Sequence, residues 1–239
     1  MWLVDFVFFH TESGTAATNF KVFGGYQGVL LAVDYRTSYP LIAPMKSQSA
    51  SRYKDALSSI MVQINSLVRR ASVITGGAAK PVRLFVMDQH KVQTEEVLQP
   101  VLDKFSKDIR ILNARIDSED MSILNRTSDI IFCMTRFWLK WASMEKRWML
   151  SAMYHAVLVY PRRPKAVKGK NRGKGYSPWT QFYRVPTSVS DMPIPWGCSC
   201  VYNRSVKSKH GNSADGIIVV QIAGLIARRI VCEVEQGQN

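Results

Sequence analysis

Near its start the chain runs Trp2-Leu3-Val4-Asp5-Phe6-Val7-Phe8-Phe9, apolar or β-branched at every position but one. Such a run reads as a strand buried on both faces. The exception is Asp5, because a carboxylate in a buried strand is costly unless something charged or polar meets it. After a Gly-, Thr- and Asn-rich stretch, Gly28 to Asp34 predicts a second strand, and Leu41 to Met45 a third, reached through the polar turn Arg36-Thr37-Ser38. Asp34, at the end of its strand, is expected to serve that turn through its side chain. Three strands joined in succession make an antiparallel meander.

The period then changes from two to between three and four. Tyr53, Leu57, Ile60, Ile64, Leu67 and Val68 mark one buried face of a helix from about Ser51 to Arg70. Val82 to Asp88 predicts a fourth strand that ends in an acid. Residues 94–108 read as helical, with Pro100 starting or kinking the helix, and Ile109 to Leu112 as a short fifth strand. Met121, Leu124, Ile131, Met134, Trp138 and Trp141 predict a long helix, and Glu145 to Val159 another. The three tryptophans Trp138, Trp141 and Trp148 are expected to pack between these two helices.

The order β-β-β-α-β-α-β-α-α predicts an α/β fold: a mixed five-stranded sheet, antiparallel meander first and alternating helices and strands after, flanked by helices. It occupies residues 1–160. Residues 161–190 read as a basic linker, since Pro161 to Lys174 holds seven Lys or Arg and no acid. Residues 191–239 read as a small β-rich appendage, with strands at Cys198–Tyr202, Ile217–Ile222 and Ile230–Val234.

With 239 residues the chain has room for one substantial domain and such an appendage. Lysine plus arginine exceed aspartate plus glutamate by 32 to 18, a net charge of +14 that attracts polyanions, nucleic acid before anionic membrane. No apolar run approaches the roughly 20 residues of a membrane span, and the N-terminus lacks the basic start of a signal peptide. Cys133, Cys198, Cys200 and Cys232 have no CxxC spacing, and the four histidines stand singly, so no zinc ligand set is assembled. A soluble, intracellular protein with no membrane partner and no small-molecule cofactor is expected.

Two acids occupy strand positions that a crossover sheet can bring side by side, Asp5 in the first strand and Asp88 at the end of the fourth. Two or three carboxylates on one edge are what Mg²⁺ takes, with water and phosphate oxygens completing its octahedron, and paired ions activate a water or 3′-hydroxyl toward a phosphodiester. The plainer readings are a turn or cap for Asp88 and an ion pair for Asp5.

These pieces together resemble the integrase core of copia-type LTR retrotransposons, which implies a ribonuclease-H-like fold. Trp2-Leu3-Val4-Asp5-Phe6 is similar to the strand with that family's first catalytic Asp, and Leu84-Phe85-Val86-Met87-Asp88 to the strand ending at the second. The run from Gly28 through Asp34-Tyr35-Arg36-Thr37-Ser38 to Pro44-Met45-Lys46-Ser47 resembles the second and third strands. Asn125-Arg126-Thr127 resembles a motif on the helix bearing the catalytic Glu, and Trp148 with Ser151 to Pro164 the next helix. In the tail, Ser177-Pro178-Trp179, Gly197 to Tyr202 and Ser208-Lys209 resemble the segment after the core. The departures are specific. Gln89-His90 follows the second Asp where the family has Asn or Arg and then Gly, no counterpart of the family's zinc-binding module is found, and the position of the catalytic Glu holds Ser122. Glu119, one turn earlier and roughly 4.5 Å nearer the helix start, is the nearest replacement. Asp117-Ser118-Glu119-Asp120 equally suits a helix N-terminus.

The resemblance implies Asp5, Asp88 and Glu119 as catalytic and metal-binding residues, with Mg²⁺ or Mn²⁺ for 3′-end processing and strand transfer, impaired by Ser122. It further implies a nuclear location, DNA as the leading partner and a homo-oligomer. Arg162, Arg163, Lys165, Lys168, Lys170, Arg172 and Lys174 are the candidate nucleic-acid contacts; a solvated linker or an import signal would look alike. The alternatives are a non-catalytic, repurposed integrase fold that binds nucleic acid or protein, and a basic structural component of a ribonucleoprotein.

Overall fold

The computed structural model describes residues 1–9, 22, 24–78, 81–88, 95–114, 119–164, 176–187, 193, 196–197, 199–204, 216–226 and 229–234. The side chains at 88, 119, 120 and beyond 197 are not among the described atoms.

Three strands open the chain: β1 (Trp2–Phe8), β2 (Gly28–Asp34) and β3 (Pro40–Met45). They pair antiparallel, Val4 opposite Ala32 and Leu31 opposite Ile42, as the meander requires. Asp34 makes the predicted turn: its Oδ2 accepts from the Thr37 N–H at 2.9 Å and the Thr37 hydroxyl at 2.7 Å. Helix α1 (Ala50–Thr75) crosses to β4 (Leu84–Asp88), which pairs parallel with β1, and α2 (Glu95–Leu102) crosses to β5 (Arg110–Ala114), parallel to β4. The sheet order is β3-β2-β1-β4-β5. Helices α3 (Glu119–Trp141) and α4 (Met149–Val159) follow, then α5 (Pro178–Tyr183). A second, antiparallel sheet of β6 (Ser199–Arg204), β7 (Gly216–Ile226) and β8 (Arg229–Val234) forms the β-rich tail. Among the described residues no helix is long and apolar enough to cross a membrane.

Strand alternation gives the sheet two cores. Trp2, Val4 and Phe6 of β1 and Phe85 and Met87 of β4 meet Leu57, Ile60 and Ile64 of α1, Leu98 and Leu102 of α2, and Trp179 and Tyr183 of α5. Leu3, Val86 and Ala114 face the other way, against Met121, Leu124 and Ile131 of α3 and Ala152, Met153 and Ala156 of α4. Emptying a fully buried position such as Leu57 or Ile60 would cost roughly 2–5 kcal/mol.

The helix ends differ from the sequence reading for local reasons. Ser49 caps α1, its hydroxyl accepting from the Arg52 N–H, and the helix runs past Arg70 to Thr75, where Gly76 adopts a left-handed φ of 64°. Pro100 is accommodated inside α2, which stops two residues later rather than reaching 108. The expected helix from Glu145 begins as a 3₁₀ turn, Lys146–Trp148. Of the three tryptophans expected between helices, Trp138 meets Trp148's side of the core, but Trp141 is 53% exposed on the outer face of α3. Within the stretch read as a linker, Pro178–Tyr183 is helical, and Trp179 and Tyr183 are buried.

β3 is an edge strand that has lost most of its outward N–H donors. Tyr39 and Met45 direct their carbonyls to β2, accepting from Asp34 and Gln27, so residues 40, 42 and 44 present the outer edge. Two of these are proline, without an N–H, and the Ile42 carbonyl accepts from Gln63 Nε2 at 3.1 Å. Such an edge resists strand addition.

Candidate functional site

The carboxyl-bearing corner is built by the parallel pairing of β1 and β4. The register places Trp2 beside Phe85, Leu3 beside Val86 and Val4 beside Met87. One further step brings positions 5 and 88 level on strands about 4.8 Å apart. By alternation, position 5 shares its sheet face with Leu3, and position 88 shares its face with Val86, which is the α3 side for both.

Asp5 is only partly buried, unlike its neighbours Val4 and Phe6. Its Oδ1 accepts from the Phe6 N–H at 2.7 Å. The Phe9 N–H bonds to Gln27 beside β2, so alternation turns the Phe6 N–H toward β4, beyond the rung of Val4 and Met87. The carboxylate of Asp5 therefore leans toward the strand that carries Asp88. The sequence reading of a polar requirement in an apolar strand is answered here by a strand that outruns its neighbour.

The third corner is α3. Asp88 is level with Ala114 in the β4–β5 pairing, and Glu119 is the first residue of α3, so the loop between them starts at the same end of the sheet. Residues 115–118 and the side chains of Asp88 and Glu119 lie outside the described atoms. Ser122, where the resemblance expects the acid, is exposed in the first turns of α3, beside the buried Met121 and Leu124. Among the described residues no group of three His, Cys, Asp or Glu side chains is placed to hold a metal.

The donor chemistry suits a hard divalent cation, with one limit. A half-buried carboxylate at position 5, level with a second acid at position 88, matches the one or two carboxylates through which Mg²⁺ is commonly held alongside waters and phosphates. A hydroxyl at 122 adds no charge toward a second ion.

The remaining candidates separate. Arg162 ends a 3₁₀ turn, Tyr160–Arg162, and its guanidinium lies 4.4 Å from the ring centre of Trp179, so it belongs to the folded body rather than to a linker. Arg163 follows it, exposed. Lys165, Lys168, Lys170, Arg172 and Lys174 lie outside the described residues.

Sequence reading missed a second concentration of chemistry. Arg70 lies over Trp179 and Tyr183 at 5.5 and 5.7 Å. These residues border a cavity of about 920 Å³ between α1, the edge of β3, α4 and α5. Only the Ser177-Pro178 start of a helix, with Ser177 capping the Thr180 N–H at 3.0 Å, signalled in advance that this segment folds.

No family model matches the sequence, and no curated protein matches it. Solved structures do match in shape. The catalytic core domain of HTLV-2 integrase, in a complex with magnesium and a trimeric form, superposes with a TM-score of 0.50 at 13% identity, over 76% of this chain and 94% of that one. A chain of the simian T-cell lymphotropic virus intasome in complex with PP2A regulatory subunit B56 gamma gives 0.51 at 12% identity, over 92% of this chain and 70% of that one. The mixed five-stranded sheet with its flanking helices is thus the ribonuclease-H-like fold of integrase cores.

Proposed function

We propose that this chain is an integrase-like nucleic-acid-binding protein, related to copia-type elements and to DNA integration, whose phosphodiester chemistry is weakened by the loss of one carboxylate. The observation that supports this reading is the parallel register of β1 and β4, in which Val4 stands beside Met87 and each is followed by an aspartate. Asp5 and Asp88 would hold one Mg²⁺ or Mn²⁺. Such an ion, when bound, supplies Lewis acidity toward a phosphate oxygen and lowers the pKa of a bound water. The chain's own part is to fix the two carboxylates on rigid strands, Asp5 being restrained by the Phe6 N–H.

The beginning of α3 at Glu119 supports a helix-start role for that acid, where a carboxylate favours the free N–H groups. As a third metal ligand it would need to reach the corner from one turn away, and catalytic geometry tolerates errors of only about 0.5 Å. The net charge of +14 supports a polyanionic partner. Arg163 and the basic residues from Lys165 to Lys174 are the proposed backbone contacts, and nuclear DNA the proposed target. The solved neighbours include a trimeric core and an intasome chain, which supports a homo-oligomer here.

The test is a strand-transfer and 3′-processing assay with purified protein in Mg²⁺ and in Mn²⁺, beside a filter-binding assay on the same DNA. The reading expects DNA binding, with turnover weak and abolished by Asp88→Asn. Binding that survives Asp5→Asn and Asp88→Asn together, with no turnover in either metal, assigns the chain to the non-catalytic, repurposed form of the same fold. Absence of nucleic-acid binding overturns both.

A further inference from the structure

A second site stands apart from the acidic corner. The cavity between α1, the β3 edge, α4 and α5 has a volume of about 920 Å³, within the range of small-molecule sites. Arg70, Arg147 and Arg162 border it, and among the described residues no acidic one does. Arg147 has a counter-charge, Glu145, at 3.0 Å. Arg70 and Arg162 have none among the described residues; both are stacked on aromatic rings instead, Arg162 at 4.4 Å from Trp179 and Arg70 at 5.5 Å from the same indole.

Stacking orients a guanidinium but leaves its in-plane donors to be met by acceptors. One terminal nitrogen of Arg162 donates to the Leu158 carbonyl. Among the described residues its Nε is buried without an acceptor, and so is the Nε1 of Trp179. Both atoms are donors only, so neither can be satisfied by the other, and leaving such a buried group unmet is costly. Two arginines without an ion pair, Arg70 exposed at the rim and Arg162 half-buried, and two orphaned donors on one wall suit an acceptor that carries negative charge. The rest of the lining is largely apolar, including Leu41, Ile42, Leu67 and Leu150.

We infer that this cavity binds a small organic anion: an apolar, ring-bearing body that carries a carboxylate or a phosphate. The anionic group lies against Arg70, Arg162 and the indole N–H, and the body lies along the apolar wall. An extended peptide is disfavoured, because Pro40 and Pro44 remove two of the three outward N–H groups of β3, and Gln63 occupies the Ile42 carbonyl.

The test is calorimetric titration of the full chain with 1-naphthyl phosphate, 1-naphthylacetate and, as the uncharged control, 1-naphthalenemethanol. Both anions are expected to bind at least about tenfold more tightly than the alcohol, as charge-assisted pairing with arginine requires. The double variant Arg70→Gln/Arg162→Gln is expected to lose that preference with its melting temperature preserved. If that variant does not fold, Leu67→Trp, which fills the cavity and leaves both arginines in place, is expected to abolish binding of all three probes. Equal binding of anions and alcohol overturns the proposal, as does binding unchanged in a folded double variant or in Leu67→Trp, or no binding of either anion. Loss of binding in step with self-association, followed by light scattering, assigns the face to a second copy of the chain and also overturns it.

Discussion

Val4 and Met87 sit level across the parallel pairing of β1 and β4, and each is followed in sequence by an aspartate. The same step of the ladder that closes the pairing therefore delivers two acids to one corner of the sheet. By the resemblance to integrase cores, the position of a third carboxylate on α3 is held by Ser122.

Restoring that charge is the first prediction. Ser122→Glu should strengthen divalent-ion binding by about tenfold, because hard cations gain affinity with each anionic oxygen ligand. Glu119→Gln should change it by less than about threefold, as a helix-start residue would. Titration of the variants with Mn²⁺, read by water-proton relaxation, separates the two roles.

The basic stretch should govern salt dependence rather than sequence preference. Replacing Lys165, Lys168, Lys170, Arg172 and Lys174 together with Gln should flatten the slope of log affinity against log salt by about 0.9 for each phosphate contact removed. The discrimination between unrelated DNA sequences should stay as it was. Fluorescence anisotropy at several salt concentrations measures both.

A buried histidine makes the fold acid-sensitive. His155 on α4 packs edge-on to Trp138, ring centres 5.0 Å apart, and its Nε2 has no partner among the described residues. Burial lowers its pKa from 6.5 to about 4. Between those values the unfolded chain binds the proton and the folded chain does not, so stability present above about pH 6.5 falls as pH drops toward 4. The loss should be on the order of 2 kcal/mol. His155→Leu should remove this contribution from the difference between denaturation midpoints at pH 7 and pH 4.5.

The closed edge of β3 gives a fourth outcome. Pro40→Thr/Pro44→Thr with Gln63→Leu restores two outward N–H groups and releases the Ile42 carbonyl. The triple variant should form larger assemblies than the parent through this edge, as analytical ultracentrifugation would register.

Strands and their order were legible because their residues are locally decisive. Gly28 to Asp34 is bounded by turn-forming residues on one side and by the Asp34 side-chain turn on the other, and the structure keeps those bounds. Helix ends were less legible where the stop lies outside the periodic pattern. Arg69-Arg70 looks like a terminus by charge, yet the backbone turns only at Gly76. Trp141 follows the helical period of its neighbours but falls on its outer side, where only the packing of α4 decides burial. The pairing of the two acid-bearing strands was foreseeable in outline, because both acids end or interrupt apolar runs. The arginine cavity was not: Arg70 and Arg162 lie more than ninety positions apart, and each looks ordinary until α5 brings Trp179 between them.

The paired-aspartate corner is tested most directly by counting Mn²⁺ ions bound to the parent chain, to Asp5→Asn and to Asp88→Asn. The account predicts one ion in the parent at millimolar metal and at least about a tenfold loss of affinity in either variant, with their melting temperatures in the absence of metal not lowered. Equal ion binding in all three proteins would contradict it.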